Sequence, residues 1–254
     1  MNFSLIVPTK NRHFFLKRFL NDIYEKSYDY QNIEIILCID PSDQMTMEVE
    51  HPYLNLKKIV SREKHMASLN RIGISQSRGK YVFLLNDDIR IKTKNWDKLI
   101  VEKLDNCKDS VFLAYPNDLY NGKFYSTFPI ISRKLLNLFL DELIPIQFEQ
   151  HGIDYHLYDI FIKLKKMGYD RLVYFKNIHF EHLLMGETEA FFSFYGKRSS
   201  RHINMHHADK DKYLLFEKTR FNFSEKLVHL ITNNIKISER AMIRLEKQES
   251  VSVT

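Results

Sequence analysis

The run Tyr81-Val82-Phe83-Leu84-Leu85 is apolar for long enough to make a strand buried on both faces, and it stops abruptly at Asn86-Asp87-Asp88. A strand of this kind belongs to a sheet covered by helices on both sides, which confines the chain to α/β architectures. Two adjacent carboxylates at a strand's carboxyl end add nothing to packing. They do suit a hard divalent cation, and ligands of open α/β sheets gather at such carboxyl ends. Ser77-Arg78-Gly79-Lys80, just before the strand, reads as a turn. The plainer alternative makes the acidic pair an Asx turn capping a helix that starts near Asn95.

The flanking sequence repeats the alternation. Phe3 to Val7 is an apolar run closed by Pro8-Thr9, and Phe14, Phe15, Leu16, Phe19, Leu20 and Ile23 follow at helical spacing. Ile33 to Ile39 is continuous and β-branched, ending at Asp40-Pro41-Ser42-Asp43, and Leu56 to Val60 is a weaker strand. Met66, Leu69, Ile72 and Ile74 predict the helix leading into the Tyr81 strand. Leu99 and Leu104 predict another before a strand at Val111 to Tyr115. After Pro116 the pattern loosens: Gly122 to Phe128 predicts a strand, and Ser132 to Leu140 a helix capped by Ser132. Asp154 is expected to cap a helix carrying Leu157, Ile160, Phe161, Leu164 and Met167, which stops at Gly168 before a strand at Leu172 to Phe175. From Asp209 the pattern is helical and basic, beyond a His- and Ser-rich seam from Lys197 to His207.

With 254 residues, 44% of them hydrophobic, the chain can bury a sizeable core. Its two cysteines, Cys38 and Cys107, sit in or beside apolar stretches, which argues against a disulfide framework or a thiolate metal site and fits a reducing compartment. The N-terminus lacks a signal-peptide pattern and no stretch approaches the roughly 18 apolar residues of a membrane span, so a cytoplasmic protein is expected. The net charge of +6 favours anionic partners such as nucleotides, phosphates, acidic glycans or a lipid surface. Nucleic acid is not expected, because no zinc finger, helix-turn-helix or RNP-like run accompanies the aromatic content. In the tail, Lys212, Lys218, Arg220, Lys226, Lys236, Arg240, Arg244 and Lys247 accompany Leu214, Leu215, Phe216, Leu227, Leu230, Ile231 and Leu245. Such a basic amphipathic segment either touches an anionic membrane peripherally or packs on the preceding domain or a second copy of the chain, and packing is the preferred reading.

In this order, the pieces resemble a family 2 glycosyltransferase of the GT-A fold. Ser4-Leu5-Ile6-Val7-Pro8-Thr9-Lys10-Asn11-Arg12 is similar to that family's first strand and loop, an apolar run followed by PTYNR. Glu34-Ile35-Ile36 and Asp40-Pro41-Ser42-Asp43 resemble its second strand and acidic turn, with Pro41 where Gly is commoner. Met66-Ala67-Ser68-Leu69-Asn70 and Arg78-Gly79-Lys80-Tyr81 resemble the helix and turn before the metal motif, and Asn86-Asp87-Asp88 stands where DxD belongs. The match runs over residues 3–185. It implies a Rossmann-like, mostly parallel central sheet flanked by helices, with residues 1–205 as the catalytic domain and residues 206–254 as a helical C-terminal extension.

The resemblance also implies a site. A departing nucleoside diphosphate gathers negative charge, and hard oxygen ligands select Mg2+ or Mn2+ to offset it. Asp88 is the first choice for direct coordination. Asp87 acts through water or holds the ribose, and Asn86 replaces the first Asp with a neutral carbonyl. In the resembled family the acidic turn reads the nucleotide base, which nominates Asp40, backed by Pro8 and Thr9; Asn11, Arg12 and Asn70 complete the donor-binding set. The plainer reading leaves Thr9 and Asp40 as ordinary loop residues. The family's late-strand His falls in Asn177-Ile178-His179-Phe180-Glu181-His182-Leu183, where His182 fits better than His179, and imidazole suits manganese. The loop from Leu183 to Ser200, with Gly186, Gly196, Lys197, Arg198 and the neighbouring Arg201, is then either a lid whose cations meet the diphosphate or a solvated basic loop.

Inverting transfer needs a carboxylate to take the acceptor hydroxyl's proton. The resembled family places it near the start of a helix ending in a Gly-Tyr pair, here Gly168-Tyr169, which leaves Asp154 and Asp159. Counting back from Gly168 puts Asp159 on the later acidic position of the family's pattern and leaves Asp154 about one turn off register. Asp154 is nevertheless preferred, because a residue just after Gly152 at a helix start can face a cleft whereas Asp159 lies inside the helix; a plain N-cap is its alternative role. The resulting expectation is a metal-dependent inverting glycosyltransferase that moves a sugar from a nucleotide-sugar donor, a UDP-sugar foremost, to a glycan or lipid-linked acceptor. Acceptor contacts are expected from Asn117 to Arg133 and Phe191 to Tyr195. The competing readings are a nucleotidyltransferase on a related sheet, against which Pro8-Thr9-Lys10-Asn11 lacks the glycines of a phosphate loop, and a sugar- or nucleotide-binding module without turnover.

Overall fold

The computed structural model describes residues 1–149, 152–183, 209 and 211–233. Eight strands form the sheet: β1 (Phe3–Thr9), β2 (Ile33–Ile39), β3 (Asn55–Val60), β4 (Tyr81–Leu84), β5 (Ile89–Ile91), β6 (Leu113–Asn117), β7 (Ile130–Ser132) and β8 (Leu172–His182). Helices α1 (His13–Lys26), α2 (Gln44–Met47), α3 (Met66–Ser75), α4 (Trp96–Leu104), α5 (Arg133–Leu143) and α6 (Gly152–Lys166) cover it. The spatial order is β3-β2-β1-β4-β7-β6-β8-β5. The β3-β2-β1-β4 half is parallel, β7 runs antiparallel to both β4 and β6, β8 is parallel to β6, and β5 closes the edge antiparallel to β8. The sheet is therefore mixed, its parallel half bearing the N-terminal loops and its antiparallel half carrying β8 back toward the end of β4.

The continuous apolar runs have their physical reason in two-sided burial. Every residue of β1 and β2 is buried. Leu5 and Val7 pack with Leu16, Phe19 and Leu20 of α1, while Ile6, between them, faces the opposite layer with Ala67 and Ile74 of α3 and Leu157 and Ile160 of α6. Each such side chain contributes about 1.5–3 kcal/mol by leaving water. The edge strand β3 alternates exposed and half-buried residues, as one open flank requires. At the amino ends of the strands, the turn before β4 is held by Glu34, which accepts from Ser4 Oγ (2.6 Å), Arg78 N (2.6 Å) and Gly79 N (3.0 Å). A Cβ on Gly79 would lie 2.5 Å from Ser4 N, so the approach of these backbones demands glycine there.

Several expectations need correction. Gly122 to Phe128 is not a strand: residues Gly122–Phe124 form a 3-10 turn, and pairing waits until β7. The Gly122 backbone sits at φ +56°, and Asp118 captures the amides of Tyr120, Asn121 and Gly122, so these donors face a carboxylate rather than a neighbouring strand. Helix α4 starts where expected, but Asn95 at its entry makes no side-chain cap and Asp87-Asp88 precede an intervening β5, which removes the Asx-cap reading. Asp154 is not an N-cap either. Gly152 already lies in α6, packed so closely on the Phe148 ring that a Cβ would collide with it, and Asp154 falls in the first turn.

Ser132 does cap α5, accepting from Leu135 N at 3.1 Å. Cys38 is buried, and neither it nor Cys107 is in a disulfide. The described part of the tail is helical over residues 211–215 and 217–233. Phe223, Leu227 and Ile231 are buried in one cluster with Leu135, Leu157 and Ile160, and Ser224 Oγ donates to Ile160 O at 3.0 Å. This stretch thus packs on α5 and α6, whereas Lys236, Arg240, Arg244, Leu245 and Lys247 lie outside the described residues. Among the described residues no helix is long and apolar enough to cross a membrane.

Candidate active site

The acidic corner is built by strand adjacency. β1 and β4 are parallel neighbours, so Thr9, at the end of one, reaches the residues that follow the other. Thr9 Oγ1 donates to Asp87 Oδ2 at 2.7 Å, and one nitrogen of Arg12 bridges Asp87 Oδ1 and Asp88 Oδ2 at 3.0 Å each. Both carboxylates are nearly inaccessible, at 2% and 1% exposure, so the guanidinium offsets charge that burial makes costly. Burial pushes the Asp87 carboxyl up to about 6, with Arg12 opposing and Asp88 reinforcing the shift. Asp88 goes the other way: burial raises it, but His182 and Arg12 together bring it below the usual carboxylate range.

His182 arrives through β5, which the sequence reading did not anticipate. Ile89 pairs with His182 across the β5–β8 ladder, and Leu183 N donates to Asp88 O at 2.9 Å, so the imidazole stands against the acidic corner. Its Nε2 lies 3.4 Å from Asp88 Oδ1. Burial disfavours the imidazolium, yet Asp88, with Asp118 and Asp154 further off, raises the His182 pKa above its ordinary value. His179 lies an odd number of residues away and so on the opposite face of the strand; its backbone is tied to Thr93 and Lys92. Asp88 Oδ1 and His182 Nδ1 are buried without a hydrogen-bond partner. A buried carboxylate oxygen that faces an imidazole nitrogen at 3.4 Å and makes no hydrogen bond is a donor set that fits a divalent cation. Among the described residues, however, no group of three or more His, Cys, Asp or Glu side chains is arranged to hold a metal unaided.

Of the remaining donor-set residues, Pro8, Asn11 and Asp40 line the ends of β1 and β2. Pro8 pairs with Cys38 in the β1–β2 ladder. Asp40 takes Lys10 Nζ at 2.6 Å on one oxygen and Ser42 N and Oγ on the other, and these contacts lower its pKa. Asn11 adopts a left-handed backbone (φ 56°) and donates its amide to Asp43, which also caps α2 through Thr46 N. Asn70 is buried in α3 with Oδ1 unpartnered, and Asn86 is half-buried beside Asp87.

The two carboxylates of α6 have separate surroundings. Asp154 is half-buried, and its carboxyl is pushed up to about 7 by desolvation, with a hydrogen bond from the Tyr125 hydroxyl and the charge of His182 opposing. Asp159 instead holds Lys163 Nζ at 2.7 Å and Arg220 Nε at 2.6 Å, partners that outweigh burial and keep its pKa low. Sequence reasoning missed Tyr125 and Asp118. A turn-prone Asn117-Asp118 followed by Asn121-Gly122 was a signal for Asp118, whereas nothing local marked Tyr125. Apart from Leu183, the loop from Leu183 to Ser200, with Phe191 to Tyr195, Lys197, Arg198 and the adjacent Arg201, lies outside the described residues.

A parallel half-sheet ending in a buried carboxylate pair, closed by an antiparallel half that returns a histidine to it, is the architecture of the GT-A glycosyltransferases. The sequence profile described as Glycosyl transferase family 2 matches residues 4–155, and the chain belongs to that family. The glycosyltransferase GlyG of Streptococcus pneumoniae is 28% identical over 128 residues, which make up 48% of this chain and 42% of that protein. Among solved structures, the mannosyltransferase PcManGT of Pyrobaculum calidifontis, in complex with GDP-Man and Mn2+, superposes with a TM-score of 0.57 at 16% identity, over 96% of this chain and 80% of its own. TarS of S. aureus, in complex with UDP-GlcNAc, gives 0.52 at 16% identity over 71% and 57%. The chain spans less than half the length of GlyG, and at these identities the structural likeness is one of fold.

Proposed function

We propose that this protein is a metal-dependent inverting glycosyltransferase, taking a sugar from a nucleotide-sugar donor, a UDP-sugar foremost, and passing it to a glycan or lipid-linked acceptor. The observation that carries this reading is the convergence of Asp87, Asp88, Arg12 and His182 at the carboxyl end of β4. Asp88 and His182 would hold Mn2+ or Mg2+, with donor diphosphate oxygens and water completing a set the protein leaves short. When bound, the cation neutralises charge on the departing diphosphate. Arg12 orders the two carboxylates, and Thr9 fixes Asp87. Lys10 and Asp40 stand at the carboxyl ends of β1 and β2, where an open α/β sheet receives a nucleotide. Asp154 takes the acceptor hydroxyl's proton as the acceptor oxygen bonds to the anomeric carbon, and the electron pair of the breaking bond leaves with the diphosphate. A carboxyl pKa near 7 suits a base working near neutrality. Asp159, neutralised by Lys163 and Arg220, joins α6 to the helical residues 211–233 in this reading.

Thermal denaturation with a panel of UDP-, GDP-, dTDP-, CDP- and ADP-sugars, with and without Mn2+, tests the donor class. A true donor stabilises by mass action, about 2.7 kcal/mol at 100 times its Kd. The reading expects the rise to require Mn2+ and to be largest for UDP-sugars. A flat response to every nucleotide sugar contradicts it.

A further inference from the structure

The loop after β6 buries Phe128 but leaves other aromatic side chains exposed. Tyr120 is 62% exposed and Phe124 75%, and on α6 Tyr155 is 48% exposed. The loop is firmly built. The Asp118 carboxylate accepts from three backbone amides and from Thr127 and Asn121 side chains, and the hydroxyls of Tyr115 (2.9 Å) and Tyr158 (3.0 Å) both donate to Lys123 O. Exposed aromatics on a loop ordered by its own hydrogen bonds lose little entropy when something docks on them. The Tyr125 ring packs on Tyr155, with centroids 4.4 Å apart and planes tilted by 39°, and Tyr155 directly follows Asp154 on α6. The aromatic surface is thus continuous with the carboxylate to which the proton-accepting role falls.

We propose that Tyr120, Phe124 and Tyr155 form the platform on which a pyranose ring of the acceptor stacks, so that the acceptor group at this site is a carbohydrate and not a lipid chain. The proposal rests on the transferase reading above and narrows it. The chemistry favours sugar: aromatic faces carry negative charge density that attracts the polarised C–H bonds of a pyranose face, and tyrosine adds a hydroxyl at the ring edge for its hydroxyl groups. A lipid-binding surface would be built from aliphatic side chains, and Leu119 is the large exposed aliphatic side chain of this loop.

Saturation-transfer NMR on the full chain tests it, with methyl glycosides of glucose, galactose, mannose, N-acetylglucosamine and rhamnose as probes and decyl phosphate as the lipid-like control. At least one glycoside should bind saturably, with transfer strongest at ring C–H protons. Tyr155→Leu, which keeps apolar bulk but removes the aromatic face, and Phe124→Ala should each weaken it about fivefold or more, while Tyr155→Phe should retain it. Nucleotide-sugar stabilisation measured on the same variants reports that they are folded. The proposal is overturned if no glycoside binds, if Tyr155→Leu and Phe124→Ala bind as the parent does, or if decyl phosphate alone binds. Absent glycoside binding by the parent protein with its donor stabilisation intact refutes the platform only, whereas absent donor stabilisation of the parent with glycoside binding intact refutes the transferase reading.

Discussion

Asp154 and Asp159 lie five residues apart on one helix, and their environments pull them in opposite directions. The folded Asp154 pKa stands at about 7 against an ordinary 3.8, so the folded state favours its protonated form. That contribution to stability is fully present below the unfolded pKa and is lost as pH rises from about 4 through 7. The Asp159 pKa is lowered, so its contribution is present above about 4 and disappears on acidification. Asp154→Asn keeps size and removes the ionisation. Transfer to acceptor should then fall by about 10² to 10⁴ while donor binding survives, and the melting temperature at pH 8 should equal or exceed that of the parent. Melting and initial-rate curves between pH 5 and 9 check both, and a parent activity without a rising limb near pH 7 would count against Asp154 as base. The reading preferred Asp154 because it follows Gly152 at a helix start, and the structure sets it in the first turn of α6. The family register pointed one turn along, to Asp159; its partner Lys163 stands at the i,i+4 spacing a helix makes legible, whereas Arg220 comes from a segment that no local pattern connects to it.

At the scale of elements, long buried strands were readable and short ones were not. β1, β2 and β4 announce themselves because two-sided burial demands unbroken apolar runs. β5 and β7 have three residues each, too few for any periodicity, and β8 was divided in the reading because exposed Lys176 and Asn177 interrupt it. The omission mattered, since β5 is what registers His182 beside Asp88. The helical residues 211–233 illustrate a different limit: packing was the preferred reading of this basic amphipathic stretch, but nothing in the pattern singled out Arg220 as the cation whose side chain is fully buried. It is held by Asp159, Glu217 at 2.7 Å and Tyr213 O at 2.7 Å, with its guanidinium 3.8 Å over the Tyr213 ring. Arg220→Ala should cost about 3–5 kcal/mol, because it strips a partner from a buried ionic network. Asp159→Asn should lower stability at pH 7 without changing the pH dependence of transfer. Urea unfolding monitored by Trp96 fluorescence measures the first, and unchanged stability in Arg220→Ala would show that the helix does not depend on this network.

Across the whole molecule, three strands far apart in sequence deliver opposite charges to one point. Arg12 follows β1, Asp87 and Asp88 follow β4, and His182 ends β8. The fold class and the acidic corner could be read from apolar runs and their polar ends, whereas the mutual geometry of these four residues could not, since it depends on sheet order. Asp88 is the residue on which metal, donor and histidine converge in this account. The direct measurement is release of free nucleoside diphosphate by the purified protein supplied with Mn2+, its stabilising nucleotide sugar and the glycan acceptor, comparing the parent with Asp88→Ala. Mn2+-dependent release should occur in the parent and drop at least about a thousandfold in Asp88→Ala, with cooperative unfolding retained. Mn2+-stimulated release near the parent rate in a folded Asp88→Ala protein would contradict the account.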